Sequence, residues 1–396
     1  MRKDSLLKDT QHLELSSYQK VNNSFRRRLI YHVGINCGFF VELNYMLNAM
    51  LYSLDHELQF QLYSEDSNFG TGIGWTEYFA PFCEEVHDSF HHQYNFHRTP
   101  TWRRILKNAI RKKSPGFIFW KLKFMLKSLK GHWLAFRTYG EYVRLNQDVA
   151  TDPATHYNIP ALGMNCSYYE AYAMLARMIW QLRPEIVQQV ADTKARLSLP
   201  PVYSGVQIRG GDKATETRLI SGRQVVETLQ PENGECVFAL ADDYRELERV
   251  RSVFPQLRIV SLCRPGEEGY YHQKFSALDP QEKKAGIIRL LVSVDIMLHA
   301  HKFSGSITTG PSVFIMKQRL SDANVQAVDC AKEMLSSVLT LTIDRRASIS
   351  AEYLAQTASP LRSLRPSLIS VPPYRGTMDI RGEAYRPPKF YDGLSY

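Results

Sequence analysis

The stretch GVQIRGGDKATE, residues 205–216, joins a strand-like apolar run to a dense group of charged and small residues. Arg209, Asp212, Lys213 and Glu216 follow the apolar run almost at once. An arginine fork binds phosphate through two parallel hydrogen bonds, and a carboxylate can accept the proton of a reacting hydroxyl. The stretch therefore indicates either a phosphate-binding and proton-transfer corner or a polar turn after a strand.

Two other groups of this kind follow strand-like runs. Asp242 and Asp243 close the run CVFALA, and the sequence TTGPS at 308–312 stands where a strand pattern gives way to a helix pattern. Small residues and a proline at a helix start present backbone N–H groups at the positive end of the helix dipole. Ligands of doubly wound sheets bind outside the carboxyl ends of the strands. The three groups together predict a nucleotide diphosphate site.

Asp295 lies in a helix pattern, residues 282–300, that is apolar on nearly every side. Such a helix is buried, and a buried carboxylate needs a partner because an unpaired buried charge is costly. Two interpretations remain open. Asp295 forms a structural salt bridge, for which Arg289 is a candidate, or it accepts the N1–H and N2–H groups of a guanine base.

The elements that must position these groups alternate between strand and helix. A strand pattern at 29–35, a helix pattern at 41–54 and a strand pattern at 58–64 begin an α/β domain. Residues 202–329 continue the alternation, which predicts a parallel sheet with helices on both faces. The strand patterns there lie at 202–209, 236–241, 257–262, 303–308 and 324–329, and the helix patterns at 221–229, 243–254, 282–300 and 311–320.

A chain of 396 residues is long enough for two domains. We divide it into a polar leader (1–27), an N-terminal α/β domain (28–200) and a nucleotide-binding domain (201–335). A C-terminal extension (336–396) follows, rich in proline and arginine towards its end.

The composition bears on location. No run of 18 apolar residues occurs, which argues against a transmembrane helix. The beginning of the chain lacks the apolar core of a signal peptide, and the six cysteines are scattered without the close pairs of a metal site. We therefore expect a cytoplasmic protein without a metal site.

The net charge of +9 is concentrated in one insertion. Residues 101–140 hold eleven lysines and arginines and no acidic residue. Three interpretations are open: peripheral contact with an anionic membrane, a solvated helix pair, and nucleic-acid binding, since basic residues alternate with tryptophan and phenylalanine. We predict the membrane contact and expect no nucleic acid.

The chain resembles the alpha-1,6-fucosyltransferase family, which includes the nodulation fucosyltransferases. The family's strand end H-V-R-R-x-D-K is matched by VQIRGGDK at Arg209, Asp212 and Lys213. NCGFFVELNYMLNAM resembles the family's C-G-x-G-x-Q-L segment, and DIMLHAHKFSGSITTGPSVF its aspartate helix and serine-rich strand end. The similarity is collinear and covers about residues 30–320.

This resemblance implies a GT-B-type fold, in which two Rossmann-like α/β domains face each other across a cleft. It further implies that fucose passes from GDP-fucose to a glycan or glycolipid acceptor with inversion. The implied catalytic residues are Arg209, Lys213 and Glu216. The implied donor-binding residues are Gly38, Gln207, Arg209, Asp212, Asp242, Asp295, Thr309, Gly310 and Ser312. No D-x-D motif occurs, so we expect neither a metal nor a cofactor, and the leaving GDP to be neutralised by side chains and backbone N–H groups.

The sequence departs from the family at defined positions. Gln207 stands for the motif histidine, Gly210 for the second arginine and Phe40 for a glycine of the N-terminal segment. The motif glutamate is displaced, because Thr217 has its position and Glu216 precedes it by one residue. Two alternatives therefore remain: another nucleotide-sugar transferase of the same fold, and a basic binding module for nucleic acid or membrane that has lost catalysis.

Overall fold

A computed structural model describes the chain at residues 13–33, 38–65, 67, 69–87, 142–145, 154–215, 217, 219–341 and 343–357, and at eight separate positions between 106 and 126. The beginning of the predicted leader, Glu216, most of the insertion at 101–140 and the end of the C-terminal extension lie outside the described residues. The described strands form two parallel sheets and one short hairpin.

The first sheet has the order β3-β2-β1-β4, and its pairs are all parallel. The strands predicted at 29–35 and 58–64 and the helix between them are confirmed as β1, β2 and α2. The elements of this part are α1 (Leu15–Ser24), β1 (Arg27–His32), α2 (Phe39–Asp55), β2 (Leu58–Tyr63), β3 (Glu84–Glu85), β4 (Tyr142–Leu145), β5 (His156–Ile159), β6 (Met164–Ser167), α3 (Tyr168–Ile179) and α4 (Pro184–Arg196).

Part of the predicted leader belongs to the first unit. Residues 15–24 form α1, in which Tyr18 and Asn22 are buried. The Asn22 amide donates to the Phe60 carbonyl (3.0 Å) and accepts the Phe60 N–H (2.7 Å), which fixes α1 beside β2. The helix is short and polar on its outer face, so its apolar positions are too few to reveal it in the sequence.

The second sheet has the order β11-β10-β7-β8-β9 and is also entirely parallel. Counted in chain order within this sheet, this is the doubly wound arrangement, whose direction of winding reverses between β7 and β10. Each strand and helix predicted between 202 and 329 is present. The elements are β7 (Ser204–Ile208), α5 (Gly222–Leu229), β8 (Cys236–Ala241), α6 (Tyr244–Val253), β9 (Arg258–Ser261), α7 (His272–Ala277), α8 (Pro280–Leu298), β10 (Lys302–Gly305), α9 (Gly310–Gln318), β11 (Val325–Ala327), α10 (Leu335–Val338) and α11 (Ile343–Thr357).

The two sheets share one hydrophobic core. A single buried cluster extends from Leu29 and Phe60 of the first sheet to Phe303 and Val325 of the second. A smaller cluster lies within the second unit, where α5 and α6 cover the other face of β7 and β8. The helices α3 and α4 connect the sheets, α3 packing on α9 and α4 on α8. This is the predicted GT-B-type α/β architecture, with its two units in direct contact.

Candidate active site

The reversal point of the second sheet lies between the carboxyl ends of β7 and β10, and Gln207 fills it. The Gln207 Oε1 accepts the Ser312 N–H (3.0 Å), the Thr309 hydroxyl (2.7 Å) and the Ser312 hydroxyl. Because a backbone N–H can only donate, the amide must point its oxygen towards α9. A side chain from β7 therefore caps the first turn of α9, where Thr309 makes no side-chain cap of its own.

The first turn of α9 also meets the first turn of α2. A Cβ atom on Gly310 would lie 2.9 Å from the Phe40 Cβ atom, which is too close for an ordinary side chain. Gly38, exposed, stands at the N-cap of α2, and Gly310 is half-buried. Each helix follows the carboxyl end of a strand, β1 for α2 and β10 for α9. The positive ends of two helix dipoles thus converge from the two units, an arrangement that favours a bound anion.

Phe40 itself points into the core between the units. Its ring lies 6.0 Å from that of Trp180 and 5.2 Å from that of Phe314, and its side chain is buried. The position that the resembling family fills with glycine is thus used here to join α2 to α3 and α9. The phenylalanine stabilises this contact between the units.

Arg209 follows β7 directly and is held on three sides. Its terminal nitrogens pair with Asp212 (2.9 Å) and with Asp242, and its guanidinium lies 4.9 Å from the centre of the Tyr270 ring. Asp242 also accepts the Gly210 N–H (2.7 Å). The side chain of Arg209 is one-fifth exposed, so part of it is accessible to solvent.

The Gly-Gly turn after Arg209 is required by a neighbouring loop, residues 264–271, which follows β9. Gly211 has a φ of +65°, and a Cβ atom there would lie 2.1 Å from the Tyr270 carbonyl oxygen. A Cβ atom on Gly210 would lie 3.2 Å from that of Asp243. A second arginine, which the resembling family has at Gly210, would need these neighbours to move.

The other predicted residues of this corner have different surroundings. Lys213 is buried in the short 3-10 helix at 211–215, and its carbonyl accepts the Thr217 N–H (3.0 Å). Asp243 caps α6 by accepting the Arg245 N–H (2.9 Å), so the acidic pair divides between a cap and the Arg209 cluster. Glu216 lies outside the described residues.

The structure does not bring Asp295 to this corner. Asp295 lies in the last turn of α8, just before the amino end of β10, whereas the corner lies at carboxyl ends. Its carboxylate accepts the Trp180 indole N–H (3.1 Å), and His299 lies 3.7 Å away. The prediction that Asp295 pairs with Arg289 is wrong, because Arg289 pairs with Glu267 (2.5 Å). That Asp295 binds a guanine base stays a prediction. The sequence alone does not reveal that Asp295 lies at the other end of β10 from the corner.

Asp329 is a structural residue of the site that the sequence analysis missed. It is fully buried and accepts the Ile307 N–H (3.0 Å) and the hydroxyls of Ser306 (2.7 Å) and Ser350 (2.7 Å). Burial raises the pKa of this carboxyl above its ordinary value. These contacts fix the loop between β10 and α9, and so the position of Thr309. An aspartate at the end of a predicted strand was the only available signal.

The corner therefore consists of a capped helix start, a second helix start opposite and an arginine held by carboxylates. This combination of donors suits an anion such as a diphosphate. Among the described residues, no group of three or more histidine, cysteine or acidic side chains is placed to hold a metal ion. Nor do those residues include a helix long and apolar enough to cross a membrane.

No protein-family model matches the sequence, and no curated protein is significantly similar to it. Among solved structures, the chain is 13% identical to the fucosyltransferase NodZ from Bradyrhizobium, over 75% of this chain and 93% of that one, with a TM-score of 0.42. It is 11% identical to a mutant of FUT1 from Arabidopsis thaliana in complex with GDP, over 76% and 73%, with a TM-score of 0.43. It is 12% identical to a family 9 glycosyl transferase from Veillonella parvula, over 84% and 98%, with a TM-score of 0.34. Similarity at this level assigns no substrate and no residue role.

Proposed function

We propose that this protein is a glycosyltransferase that uses a nucleotide-diphosphate sugar as donor. The observation that carries the proposal is the convergence of the α2 and α9 N-termini at the reversal point of a doubly wound sheet, where β7 ends one residue before Arg209. Both dipoles and the guanidinium favour negative charge at this place. The donor's diphosphate would contact the backbone at Gly38 and Gly310 and the accessible part of Arg209.

Gln207 limits which donors of α9 remain for the diphosphate. Its oxygen already accepts the Ser312 N–H and two hydroxyls. Pro311 carries no N–H group. The Gly310 N–H at the rim of α9 is then the group we assign to phosphate, while Ser312 and Thr309 act by holding the helix start in place.

The finer proposal, from the resemblance of the sequence motifs, is transfer of fucose from GDP-fucose to a glycan or glycolipid hydroxyl with inversion. In that step the acceptor oxygen bonds to the sugar carbon while the bond from that carbon to the phosphate oxygen breaks. The acceptor proton passes to a carboxylate, for which we propose Glu216. Lys213 would tune the basicity of that carboxylate. Negative charge then grows on the leaving phosphate, near Arg209. Interactions that strengthen as this charge grows lower the barrier to transfer.

A thermal-shift panel tests both levels of the proposal. GDP, UDP, ADP and CMP and their sugars are compared on the full-length protein, and we expect GDP and GDP-fucose to raise the melting temperature most. If UDP and its sugars stabilise the protein equally or better, the fucose assignment fails and another nucleotide-sugar transferase of this fold takes its place. Stabilisation by no nucleotide would overturn the donor site itself.

One observation favours the alternative of a binding module without catalysis. Arg209 is already paired with Asp212 and Asp242, and the hydroxyls at the start of α9 are already bonded to Gln207. A site whose donors are satisfied internally resembles a structural corner. The two functions separate in one assay, because a transferase hydrolyses or transfers a radiolabelled sugar from its best nucleotide-sugar, and a binding module leaves that donor intact.

A further inference from the structure

The described positions of the basic insertion include exposed apolar side chains whose backbone is helical. Phe119, Leu122 and Leu126 are helical, and their exposed fractions are 68%, 44% and 69%. Their spacing of three and four residues is the spacing of side chains that share one helix face. Leu106 and Ile110, four residues apart and also helical, are exposed as well.

These residues differ from the rest of the described surface. They are five of the twelve large hydrophobic side chains that are exposed there, and the other seven are dispersed along the chain. Single exposed apolar residues are ordinary, whereas a grouped apolar surface marks an interaction site. A solvated helix pair, one of the three interpretations from sequence, would direct these side chains inward and its lysines outward.

The charge of the same insertion indicates what covers this surface. Residues 101–140 hold eleven positive and no negative side chains, and Lys123 is exposed on the helix that carries Leu122. A helix with an apolar face and basic flanks lies in the interface of an anionic membrane, with the apolar face at the acyl boundary and the basic groups among the phosphates. Four of the five exposed side chains are leucine or isoleucine, which do not stack on bases, so this surface is less suited to nucleic acid, which is bound through aromatic platforms.

We propose that the insertion binds the surface of an anionic lipid bilayer through Phe119, Leu122 and Leu126, with the lysines and arginines at the headgroups. This inference is independent of the nucleotide site, since none of its residues belongs to that corner.

Sedimentation with vesicles tests the proposal on the full-length protein. Vesicles of phosphatidylcholine with phosphatidylserine are compared with vesicles of phosphatidylcholine alone, at ionic strengths from about 0.1 M upward, where charge interactions are screened progressively. We expect binding to the anionic vesicles only, and weaker binding as salt rises. Trp102, Trp120 and Trp133 lie in the insertion, so their fluorescence should shift to shorter wavelength on binding.

A matched pair of variants separates the apolar face from the charge. Replacing Phe119, Leu122 and Leu126 by serine keeps every charge and should weaken vesicle binding about tenfold or more, since each buried apolar side chain contributes separately. The control replaces three exposed valines elsewhere by serine and should bind as the wild type does. The three control positions are Val187, Val202 and Val253.

Several outcomes would overturn the proposal. Equal binding to neutral and anionic vesicles, or binding to neither, removes the electrostatic argument. A triple-serine variant that binds as tightly as the wild type removes the apolar face. Salt-sensitive binding of RNA without vesicle binding assigns the insertion to nucleic acid, and sedimentation at high concentration without vesicles assigns the surface to a second copy of the chain. Each is independent of the nucleotide panel, so failure here leaves the proposed donor site unaffected.

Discussion

Arg209 has two possible roles. Its ion pairs with Asp212 and Asp242 connect the turn after β7 to the residue that follows β8, which is a structural role. The same pairs orient the guanidinium before any ligand arrives, which reduces the entropy lost when phosphate binds. A diphosphate would then have to share the fork with the carboxylates or displace one of them. The two roles predict different consequences of mutation.

Substitution of Arg209 distinguishes these roles. Lysine presents one ammonium in place of a planar fork, so it cannot pair with both Asp212 and Asp242 while contacting phosphate. We expect Arg209→Lys to lose nearly as much turnover as Arg209→Ala, a decrease of roughly 100-fold or more. Steady-state transfer from GDP-fucose measures this, after circular dichroism has shown that each variant is folded.

Glu216→Gln is the comparison for that experiment. Its proposed role concerns the acceptor proton alone, so GDP affinity should stay unchanged while transfer is lost. A folded Arg209→Ala variant with near-normal transfer would show that the corner is only a turn. An equal loss of GDP affinity in both variants would instead assign Glu216 to the donor site.

Gln207 shows how a neutral side chain can organise a charged site. Its amide oxygen accepts three donors at the start of α9. A histidine, which the resembling family has at this position, offers one acceptor nitrogen at most. The glutamine therefore caps α9 more fully and leaves the Gly310 N–H as the outer donor.

At the scale of the element, the loop 264–271 rests directly on the turn after Arg209. The Asp212 N–H donates to the Tyr270 carbonyl (2.9 Å), and a Cβ atom on Gly269 would lie 2.3 Å from the Gly211 nitrogen. Backbone packs against backbone here, which only glycine permits. The loop thereby fixes both the turn and the aromatic ring beside Arg209.

Gly211→Ala should destabilise the protein more than an alanine at an otherwise similar glycine. Gly266 lies in the same loop with a φ of +87°, but a Cβ atom there would have nothing within 4 Å. Gly266→Ala therefore bears only the cost of the left-handed backbone, about 1 kcal/mol. Gly211→Ala adds the collision with Tyr270, for a total of about 3 kcal/mol. Urea unfolding measures both, and equal losses would show that the loop moves away freely.

The sequence predicts the strands and helices of the second unit better than it predicts the contacts between them. Apolar alternation located β7, β8 and α9, and parallel strand ends explained why Arg209 and Thr309 share one edge. Hydrophobic periodicity predicted that Asp295 is buried, whereas its side chain is 15% exposed, and it did not show that Asp295 lies near the amino end of β10. The contact of Gly211 with Tyr270 joins residues far apart in the chain, and no local pattern encodes it. The sequence shows Phe40 only as a departure from a glycine motif, whereas in the structure its ring lies between the units.

At the scale of the whole molecule, the two units are joined by buried contacts of several kinds. Phe40 of α2 lies against Phe314 of α9, and the Lys317 ammonium bonds to the Tyr168 hydroxyl (3.0 Å) in the core. Lys284 of α8 lies 3.3 Å from Glu77, whose carboxylate is fully buried. Interfaces between independent domains are smaller and more polar. This continuity implies that the proposed donor site, which draws on both units, cannot form in one unit alone.

The chain should therefore unfold in a single cooperative transition despite its two sheets. Phe60 is buried beside β1 in the first unit, and Leu247 is buried in the separate cluster beneath α6 in the second. Phe60→Ala should cost about 4 kcal/mol and Leu247→Ala about 3 kcal/mol. In a cooperative molecule, either substitution lowers the one denaturant midpoint, whichever probe is used. Far-ultraviolet circular dichroism follows both units, and tryptophan fluorescence includes Trp180 at their interface. Two separated transitions, with each variant moving only one of them, would mean that the units fold independently and that the shared core does not couple them.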